Sequence, residues 1–324
     1  MRLAVPLVDP AAIDGWRPGA TIIDLAGETM GTTWRVRLAA PPDFDRTGLS
    51  QAIEARLEAI LAEMSHWRTD SVVARFNRAP TGTWCTLPHD FATVHEAALA
   101  ICERSGGAFD PAIGALVNVW GFGPSGAHEA PDDAGLIAAR RHAGAGHLAY
   151  DQATRRLRQP GGVQLDFSGI AKGFAVDALG AVLRGNGCHH ALVEIGGELL
   201  GLGLRPDGDP WWVDLETPVN GVQPLRIALH QLAVATSGDT VRGRHTIDPR
   251  SGRPVEHAAS VSVIHASAML ADAWATALSV EVPPAMQALV IAENLAVRAI
   301  IREPEGPVEW ISPALRLLLV DPEL

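Results

Sequence analysis

The chain has 324 residues, of which 47% are hydrophobic and 19% are charged, a composition typical of a globular protein. Its formal net charge of −11, from 26 basic and 37 acidic residues, argues against a nucleic-acid-binding protein and against a polybasic membrane patch. The three cysteines, Cys85, Cys102 and Cys188, include no CxxC pair, so neither a cysteine zinc site nor a disulfide framework is expected.

Residues 1–20 are predicted to form a loose, proline-containing lead-in, followed by one domain over residues 21–324. The first residues do not have the pattern of a secretory signal, and no apolar run approaches the roughly 18 residues of a membrane-spanning helix. No transmembrane segment is therefore expected. As written, the chain is expected to be cytoplasmic, with a periplasmic location if a leader has been removed.

The spacing of apolar residues predicts an α+β protein with mixed sheets and interspersed helices, because short strands come in pairs between helices. Two strands are expected within residues 21–38, around a turn at Gly31, and the strands at 191–195 and 199–204 are expected to form a hairpin through Gly196-Gly197. Ser71 is expected to cap a helix after Asp70. The predicted helices cover residues 48–64, 91–105, 136–142, 169–183, 266–282 and 284–294. The further predicted strands are 148–150, 157–159, 163–165, 191–195, 199–204, 212–215, 225–229, 232–236, 261–264, 296–301 and 308–311.

The segment MLADAWATALSV carries the first candidate site. Asp272 and Thr276 are four residues apart, so on a helix they share one face. The residues that flank them on that face are small, which leaves space around a carboxylate and a hydroxyl. Such oxygen ligands suit magnesium or calcium. The alternative is a solvated aspartate and a threonine that is bonded back to its own helix.

The segment LDFSGIAKGFAVDAL is the second candidate site. It is predicted to run from a strand that ends at Asp166, through a turn, into a helix with Ser168 as N-cap and Lys172 in the first turn. Free backbone N–H groups, the positive end of a helix and one lysine make a phosphate-binding site. Neither a GxxxxGK[ST] loop nor a GxGxxG motif is present. The alternative is a plain strand–turn–helix with a surface lysine.

The turn-rich segment of residues 234–255 contains His245. A histidine in such a place can accept a proton from a hydroxyl nucleophile near neutral pH, and the carboxylate of Asp248 is a second candidate for that role. A surface or structural histidine is the alternative.

Several aromatic side chains fall in segments that are predicted to be loops. Flat side chains on loops suit a flavin or an adenine ring. Ordinary packing under loops explains each of them singly; they are Trp67, Phe109, Trp120 and Phe122.

Taken in order, eight segments between Met30 and Leu278 resemble the FAD:protein FMN transferase family, the ApbE-type flavin transferases. The segments are MGTTW, MSxxxxDSxxxRFN, GAFDPAIGALVNVWGFGP, DFSGIAKGFAVD, VEIGGELLGLG, VATSGD, HTIDPRSGRPV and VSVIHASAMLADAWATAL. The resemblance implies an ApbE-like flavin transferase fold, FAD as substrate and dependence on Mg²⁺. It also implies transfer of FMN to a threonine or serine hydroxyl of an acceptor protein, with AMP leaving. The implied partner is a flavoprotein with a Ser/Thr-Gly-Ala-Ser/Thr-like segment.

The resemblance also implies roles for single residues. Asp272 and Thr276 match metal ligands, and Gly169 falls where a further ligand oxygen is expected, here the backbone carbonyl. Asp272 and His245 are the expected catalytic residues, with His245 as general base. The positions that match FAD contacts are Met30, Trp67, Ala108, Phe109, Asp110, Asp166, Lys172 and Ile247.

Two other functions fit the same segments. An FAD pyrophosphatase would use water in place of the acceptor, and the stretch between Asp239 and His245, which is shorter than is usual in the family, favours it slightly. A flavin-storage protein would need neither a metal pair nor a base. A nicotinamide or flavin oxidoreductase is disfavoured because the Rossmann fingerprint is absent.

Overall fold

The computed structural model describes residues 1–8, 10–127, 129–239, 243 and 245–320. The strands of the described residues are β1 (Arg2–Ala4), β2 (Thr21–Thr29), β3 (Thr32–Ala40), β4 (Trp84–Thr86), β5 (Ala149–Asp151), β6 (Arg156–Arg158), β7 (Ala191–Ile195), β8 (Glu198–Leu202), β9 (Trp211–Asp214), β10 (Leu225–Leu229), β11 (Leu232–Gly238), β12 (Ala258–His265), β13 (Ala296–Glu303), β14 (Gly306–Ile311) and β15 (Leu319–Val320).

The helices of the same residues are α1 (Arg46–Met64), α2 (Val72–Asn77), α3 (His89–Arg104), α4 (Gly114–Val119), α5 (Asp133–Arg140), α6 (Ala171–Gly185), α7 (Ala268–Val280), α8 (Pro283–Ala292) and α9 (Pro313–Arg316). Short 3₁₀ turns occupy Pro10–Ile13 and Ala145–His147. None of the helices in the described part of the chain is long and apolar enough to cross a membrane.

The chain forms two compact units. The first consists of Met1–Leu57, Lys172–Gly243 and Glu256–Leu324, and the second of Glu58–Ala171 and Arg244–Val255. The predicted division into a lead-in and one domain from residue 21 stays a prediction.

The first unit is built on an eight-stranded antiparallel sheet with the order β14-β13-β12-β11-β8-β7-β3-β2. β12 is buried along almost its whole length, and α7 packs against β11 and β12. The hairpin of β7 and β8 turns at Gly196-Gly197, as the sequence predicts. Both glycines have positive φ, 57° and 98°, which is the backbone conformation that a tight hairpin turn requires.

A smaller sheet in this unit includes the first residues of the chain. Its order is β15-β1-β10-β9, with β1 parallel to β10. The side chain of Arg2 adds further contacts to this pairing, because its guanidinium donates to the Gln223 carbonyl and pairs with Glu309. The N-terminal residues are therefore part of a sheet, and only three of them form the strand, which is too short for an alternating pattern to indicate it.

The second unit combines helices α2 to α5 with a three-stranded sheet of order β4-β6-β5. α2 begins where the sequence places it, because Ser71 Oγ accepts from Ala74 N at 3.1 Å as an N-cap. α3 buries one face, and the ring of Phe167 lies edge-on to Phe91 on that face.

The strand predicted at residues 163–165 is wrong. The Asn77 side chain brackets Leu165, donating to its carbonyl at 3.0 Å and accepting from its N–H at 2.8 Å. Further backbone bonds join Gly114 N to the Gln164 carbonyl and Asp166 N to the Pro111 carbonyl. The extended backbone of this segment is thus satisfied by a side chain and by a loop rather than by a neighbouring strand.

Candidate functional site

In the first unit, α7 positions a buried carboxylate. Asp272 is only 5% exposed, and its Oδ2 accepts from the backbone N–H of Gly173 in the first turn of α6 at 2.9 Å. Thr276 lies one turn further along α7 and is half-buried, so the two side chains share a helix face as the spacing predicts. Burial raises the pKa of Asp272, while the positive charge of Lys172 and the Gly173 bond act in the opposite direction.

A buried ion pair lies beside this carboxylate. The Nζ of Lys172 is bonded to Oε1 of Glu198, a residue that is 2% exposed at the start of β8. Burial raises the pKa of Glu198, and the charge of Lys172 opposes that rise while the charge of Asp272 adds to it. Two buried carboxyl groups therefore share the field of one ammonium group.

The start of α7 is fixed by Asp177, which lies on α6. Its carboxylate accepts from Ser267 Oγ at 2.7 Å, from Ala268 N at 2.9 Å and from Met269 N at 3.0 Å. These N–H groups belong to the first turn of α7, where a helix has no internal partners for them. Asp177 therefore holds α7, and with it Asp272, in register with α6.

The helix predicted from residue 169 begins at Ala171, so Ser168 lies in the preceding turn and is not the N-cap. Asp166 organises that turn, because its Oδ1 accepts from Ser168 N at 2.7 Å. Gly169 belongs to the same turn and is half-buried. This sequence is compatible with a turn bonded by Asp166 and with a helix capped by Ser168, and the turn is the structure that forms.

Met30 occupies the turn between β2 and β3, again in the first unit. It has a φ of 51°, and the following Gly31 has a φ of 71°. Two successive positive φ values correspond to the tight turn that suits a two-residue hairpin. A non-glycine residue in this region carries backbone strain, so the structure places a strained backbone and a half-buried side chain at a position where the resemblance implies a contact with FAD.

In the second unit, Asp110 anchors the loop that follows α3. Its Oδ1 accepts from Ala112 N at 2.7 Å and its Oδ2 from Ala145 N at 2.9 Å. Burial raises the pKa of Asp110, and these two backbone bonds partly oppose the rise. Ala108 and Phe109 are buried, at 1% and 4% exposure, so the Phe109 ring is part of the core.

The other aromatic candidates differ in exposure. Trp67 is 61% exposed and is thus available to a ligand. The indole N–H of Trp120 donates to the Gly252 carbonyl at 2.7 Å, which gives this residue a structural role. The Phe122 side chain is partly exposed, at 36%.

The segment that follows His245 is a well-bonded hairpin. Val255 N donates to the Thr246 carbonyl at 2.9 Å, and Ile247, 3% exposed, packs against Leu116 and Leu136. His245 itself is half-buried at the entrance of this hairpin. Asp248 accepts from the backbone N of Arg250 at 2.9 Å and pairs with its guanidinium, so its carboxylate is engaged within the turn of this hairpin.

Each unit therefore gathers part of the predicted set. The first unit brings together Lys172, Asp272 and Thr276 and also contains Met30. The second contains Trp67, Ala108, Phe109, Asp110, Asp166, Gly169, His245 and Ile247. Their functional roles stay predictions. The shortened stretch before His245 lies outside the described residues, apart from Gly243.

Two residues of the first-unit cluster are missing from the sequence-based set. Asp177 and Glu198 both lie inside segments that carry the resemblance, DFSGIAKGFAVD and VEIGGELLGLG. The available signal was an acidic residue in an otherwise apolar helix or strand. Their partners, in α7 and in α6, are distant in sequence and become visible only in the fold.

The fold and the site define an α+β protein with a buried carboxylate–lysine cluster at the contact of two helices. The model of the ApbE family matches residues 30–301, and the chain belongs to this family.

Proteins named FAD:protein FMN transferase are similar over most of the chain. One from Klebsiella pneumoniae (strain 342) is 34% identical over 319 residues, covering 94% of this chain and 91% of the relative. One from Haemophilus influenzae is 35% identical over 321 residues, covering 92% and 91%.

Solved structures agree with the fold. The flavin transferase ApbE from Vibrio cholerae matches with a TM-score of 0.85 at 33% identity, over 92% of this chain and 99% of that chain. The apo form of the Pseudomonas stutzeri flavinyl transferase ApbE matches with a TM-score of 0.86 at 36% identity, over 92% and 97%. The predicted α+β, ApbE-like fold is confirmed.

Proposed function

We propose that this chain transfers FMN from FAD to a threonine or serine hydroxyl of an acceptor protein and releases AMP. The structural observation that carries the proposal is the buried carboxylate of Asp272, held by Gly173 beside Lys172 and one turn from the Thr276 hydroxyl. Similarity to proteins named FAD:protein FMN transferase over more than nine-tenths of the chain supports the same reaction.

A divalent cation, Mg²⁺ in this proposal, fits the oxygen groups of α7. Oδ2 of Asp272 is engaged by Gly173, which leaves Oδ1 to turn to a cation together with the Thr276 hydroxyl, and the Gly169 carbonyl is the third proposed ligand. In the described part of the chain, no three His, Cys, Asp or Glu side chains group as a metal cage. Mg²⁺ suits such a sparse site, because it keeps several waters and binds one or two carboxylates together with substrate phosphates. When bound, it supplies charge stabilisation to a pyrophosphate.

Lys172 and the start of α6 are suited to the phosphates of FAD. Lys172 lies in the first turn of a 15-residue helix, whose N-terminal N–H groups favour negative charge. FAD contacts are also proposed for Met30, Trp67, Asp110, Asp166 and Ile247 and for the backbone at Ala108 and Phe109.

The proposed chemical step is displacement at phosphorus. The hydroxyl oxygen of the acceptor forms a bond to the FMN phosphorus, and the bond from that phosphorus to the oxygen of AMP breaks. His245 takes the hydroxyl proton as general base, and AMP leaves with the bridging oxygen.

The acceptor proposed here presents a Ser/Thr-Gly-Ala-Ser/Thr-like segment, in which a small neighbour leaves the hydroxyl accessible. The cytoplasmic location, or a periplasmic one after removal of a leader, remains a proposal that fractionation of cells tests.

The reaction is tested by measuring AMP and FMN after incubation with FAD, with and without Mg²⁺ and with and without an acceptor carrying that segment. The proposal expects AMP without an equal amount of free FMN, and only when metal and acceptor are both present. Equal amounts of AMP and free FMN without acceptor would identify an FAD pyrophosphatase instead. Bound FAD with no AMP under any condition would identify a flavin-storage protein.

A further inference from the structure

Glu198 has no role in the function proposed above, yet burial of its carboxylate is unfavourable for stability. It is 2% exposed, its Oε1 is bonded to Lys172, and its Oε2 is buried without a hydrogen-bond partner among the described residues. A buried carboxylate with an unsatisfied oxygen destabilises a fold, and an apolar residue of similar size often serves stability as well or better. Packing alone therefore does not account for a glutamate at this position.

A second carboxylate lies beside the Lys172 backbone. Lys172 precedes Gly173, whose N–H holds Oδ2 of Asp272. The charge of Lys172 acts on both carboxyl groups, Glu198 and Asp272. A lysine side chain is a flexible four-carbon stem with a compact charge, so its direction is set by the anion that holds it.

We propose that Glu198 is a positioning residue that holds the Lys172 ammonium and thereby keeps it from closing on Asp272. The inference rests on the proposed function, in which Asp272 binds a divalent cation. With Glu198 in place, the Lys172 ammonium is bonded to Oε1 of Glu198 and the Asp272 carboxylate stays available to the cation. Without the Glu198 charge, Lys172 pairs with Asp272 and competes with the cation for the same oxygen atoms.

The test measures Mn²⁺ binding to the protein without FAD, from the loss of the free-ion signal in electron paramagnetic resonance. Glu198→Gln keeps the size of the side chain and removes its charge, and the expected result is about 10-fold weaker Mn²⁺ binding, the scale found for groups that orient metal ligands. Glu194→Gln, in the neighbouring strand of the same hairpin, is the matched control and should bind Mn²⁺ like the wild type.

The decisive variant is the pair Lys172→Met with Glu198→Gln. If Glu198 acts through Lys172, removing the lysine as well restores Mn²⁺ binding to within about threefold of the wild type, since no competing ammonium remains. A role in the fold alone predicts no such recovery. Among the variants that keep Lys172, the Mg²⁺ concentration for half-maximal AMP release should rise in Glu198→Gln and stay at the wild-type value in Glu194→Gln.

Three results would overturn the inference. If Glu198→Gln binds Mn²⁺ like the wild type, the role of Glu198 is refuted. The metal assignment would still stand in that case if Asp272→Ala loses the ion. Equal loss in the single and the double variant would show that Glu198 acts without Lys172. Absence of Mn²⁺ binding in the wild type would overturn both the metal assignment and this inference.

Folding is checked by circular dichroism and thermal unfolding. Should Glu198→Gln not fold, Lys172→Met is compared with the double variant, in which the buried pair is removed as a whole. The inference then expects the two proteins to bind Mn²⁺ within about threefold of each other, because Glu198 has no lysine left to direct. A loss of about 10-fold in the double variant alone would contradict it.

Discussion

The backbone of Gly173 and the carboxylate of Asp272 are joined directly, by an N–H bond of 2.9 Å to Oδ2. The contact is close because residue 173 lacks a side chain. A Cβ there would lie 2.2 Å from the Ala268 carbonyl oxygen and 2.8 Å from the Asp272 Cβ. α6 and α7 therefore approach at a distance that only glycine permits, and the same approach delivers the N–H that orients the carboxylate.

Gly173→Ala should accordingly damage both the fold and the site. Overpacking of this kind costs about 1–3 kcal/mol of unfolding free energy, and displacement of Asp272 should lower metal-dependent AMP release about 10-fold or more. Denaturant unfolding and AMP assays measure the two effects. Gly185→Ala, at the other end of α6 with open space around the new methyl group, is the control and should be neutral or slightly stabilising. A Gly173→Ala protein with wild-type stability and activity would refute the tight packing.

Asp272→Ala should abolish metal-dependent turnover while FAD binding weakens less, because the substitution removes the carboxylate that the cation needs and leaves Lys172 in place. AMP release and quenching of flavin fluorescence follow the two quantities separately. Thr276→Ser keeps the hydroxyl one turn away from Asp272, and it should lower AMP release much less than Asp272→Ala does. Unchanged turnover in Asp272→Ala would end the metal assignment.

His245→Ala should retain FAD and lose transfer. General-base help is typically worth about 10²–10⁴-fold, so the rate of acceptor labelling should fall by that order while the dissociation constant for FAD stays close to that of the wild type. The exposed His89 offers a control at which the same substitution should change neither quantity. Labelling at the native rate would mean that another group takes the proton.

His95 predicts a pH dependence of stability in the second unit. It is fully buried, its ring lies edge-on to Tyr150 at 5.0 Å and to Phe167 at 6.5 Å, and burial lowers its pKa from 6.5 to about 4. The next residue, Glu96, accepts from the Tyr150 hydroxyl at 2.6 Å.

Because the folded-state pKa of His95 lies below the unfolded one, the unfolded chain binds more protons between pH 6.5 and about 4. Stability should therefore be complete above pH 6.5 and fall by roughly 3 kcal/mol as the pH drops through this window. Denaturant unfolding at several pH values measures the slope. His95→Phe should flatten it, whereas the exposed-site variant His89→Gln should keep it. An unchanged slope in His95→Phe would contradict the assignment.

Local patterns predicted much of this fold because their causes are local. The two glycines of the β7–β8 turn, the Ser71 cap and the periodic apolar residues of α7 each specify structure within a few residues. β1 escaped prediction because its partner β10 lies more than 200 residues away. The segment 163–165 looks like a strand because its residues favour extended backbone, whereas its actual partners are Asn77 and a loop.

Some residues of the candidate site could be predicted from local sequence, and others depend on partners that are distant in the chain. Asp272 and Thr276 were predictable because helical spacing alone places them on one face. Glu198 and Asp177 were not, since each acquires meaning from a partner on another element, Lys172 on α6 and the first turn of α7. Ser168 was assigned wrongly because both a cap and a turn are compatible with its sequence, and the Asp166 bond decides between them.

The most direct test of the central claim is the intact mass of an acceptor protein after incubation with this chain, FAD and Mg²⁺. The account predicts an increase equal to FMN minus one water, on a serine or threonine, that disappears with chelator and with Asp272→Ala. An acceptor of unchanged mass, in a reaction where FAD is nevertheless split into AMP and free FMN, would contradict it.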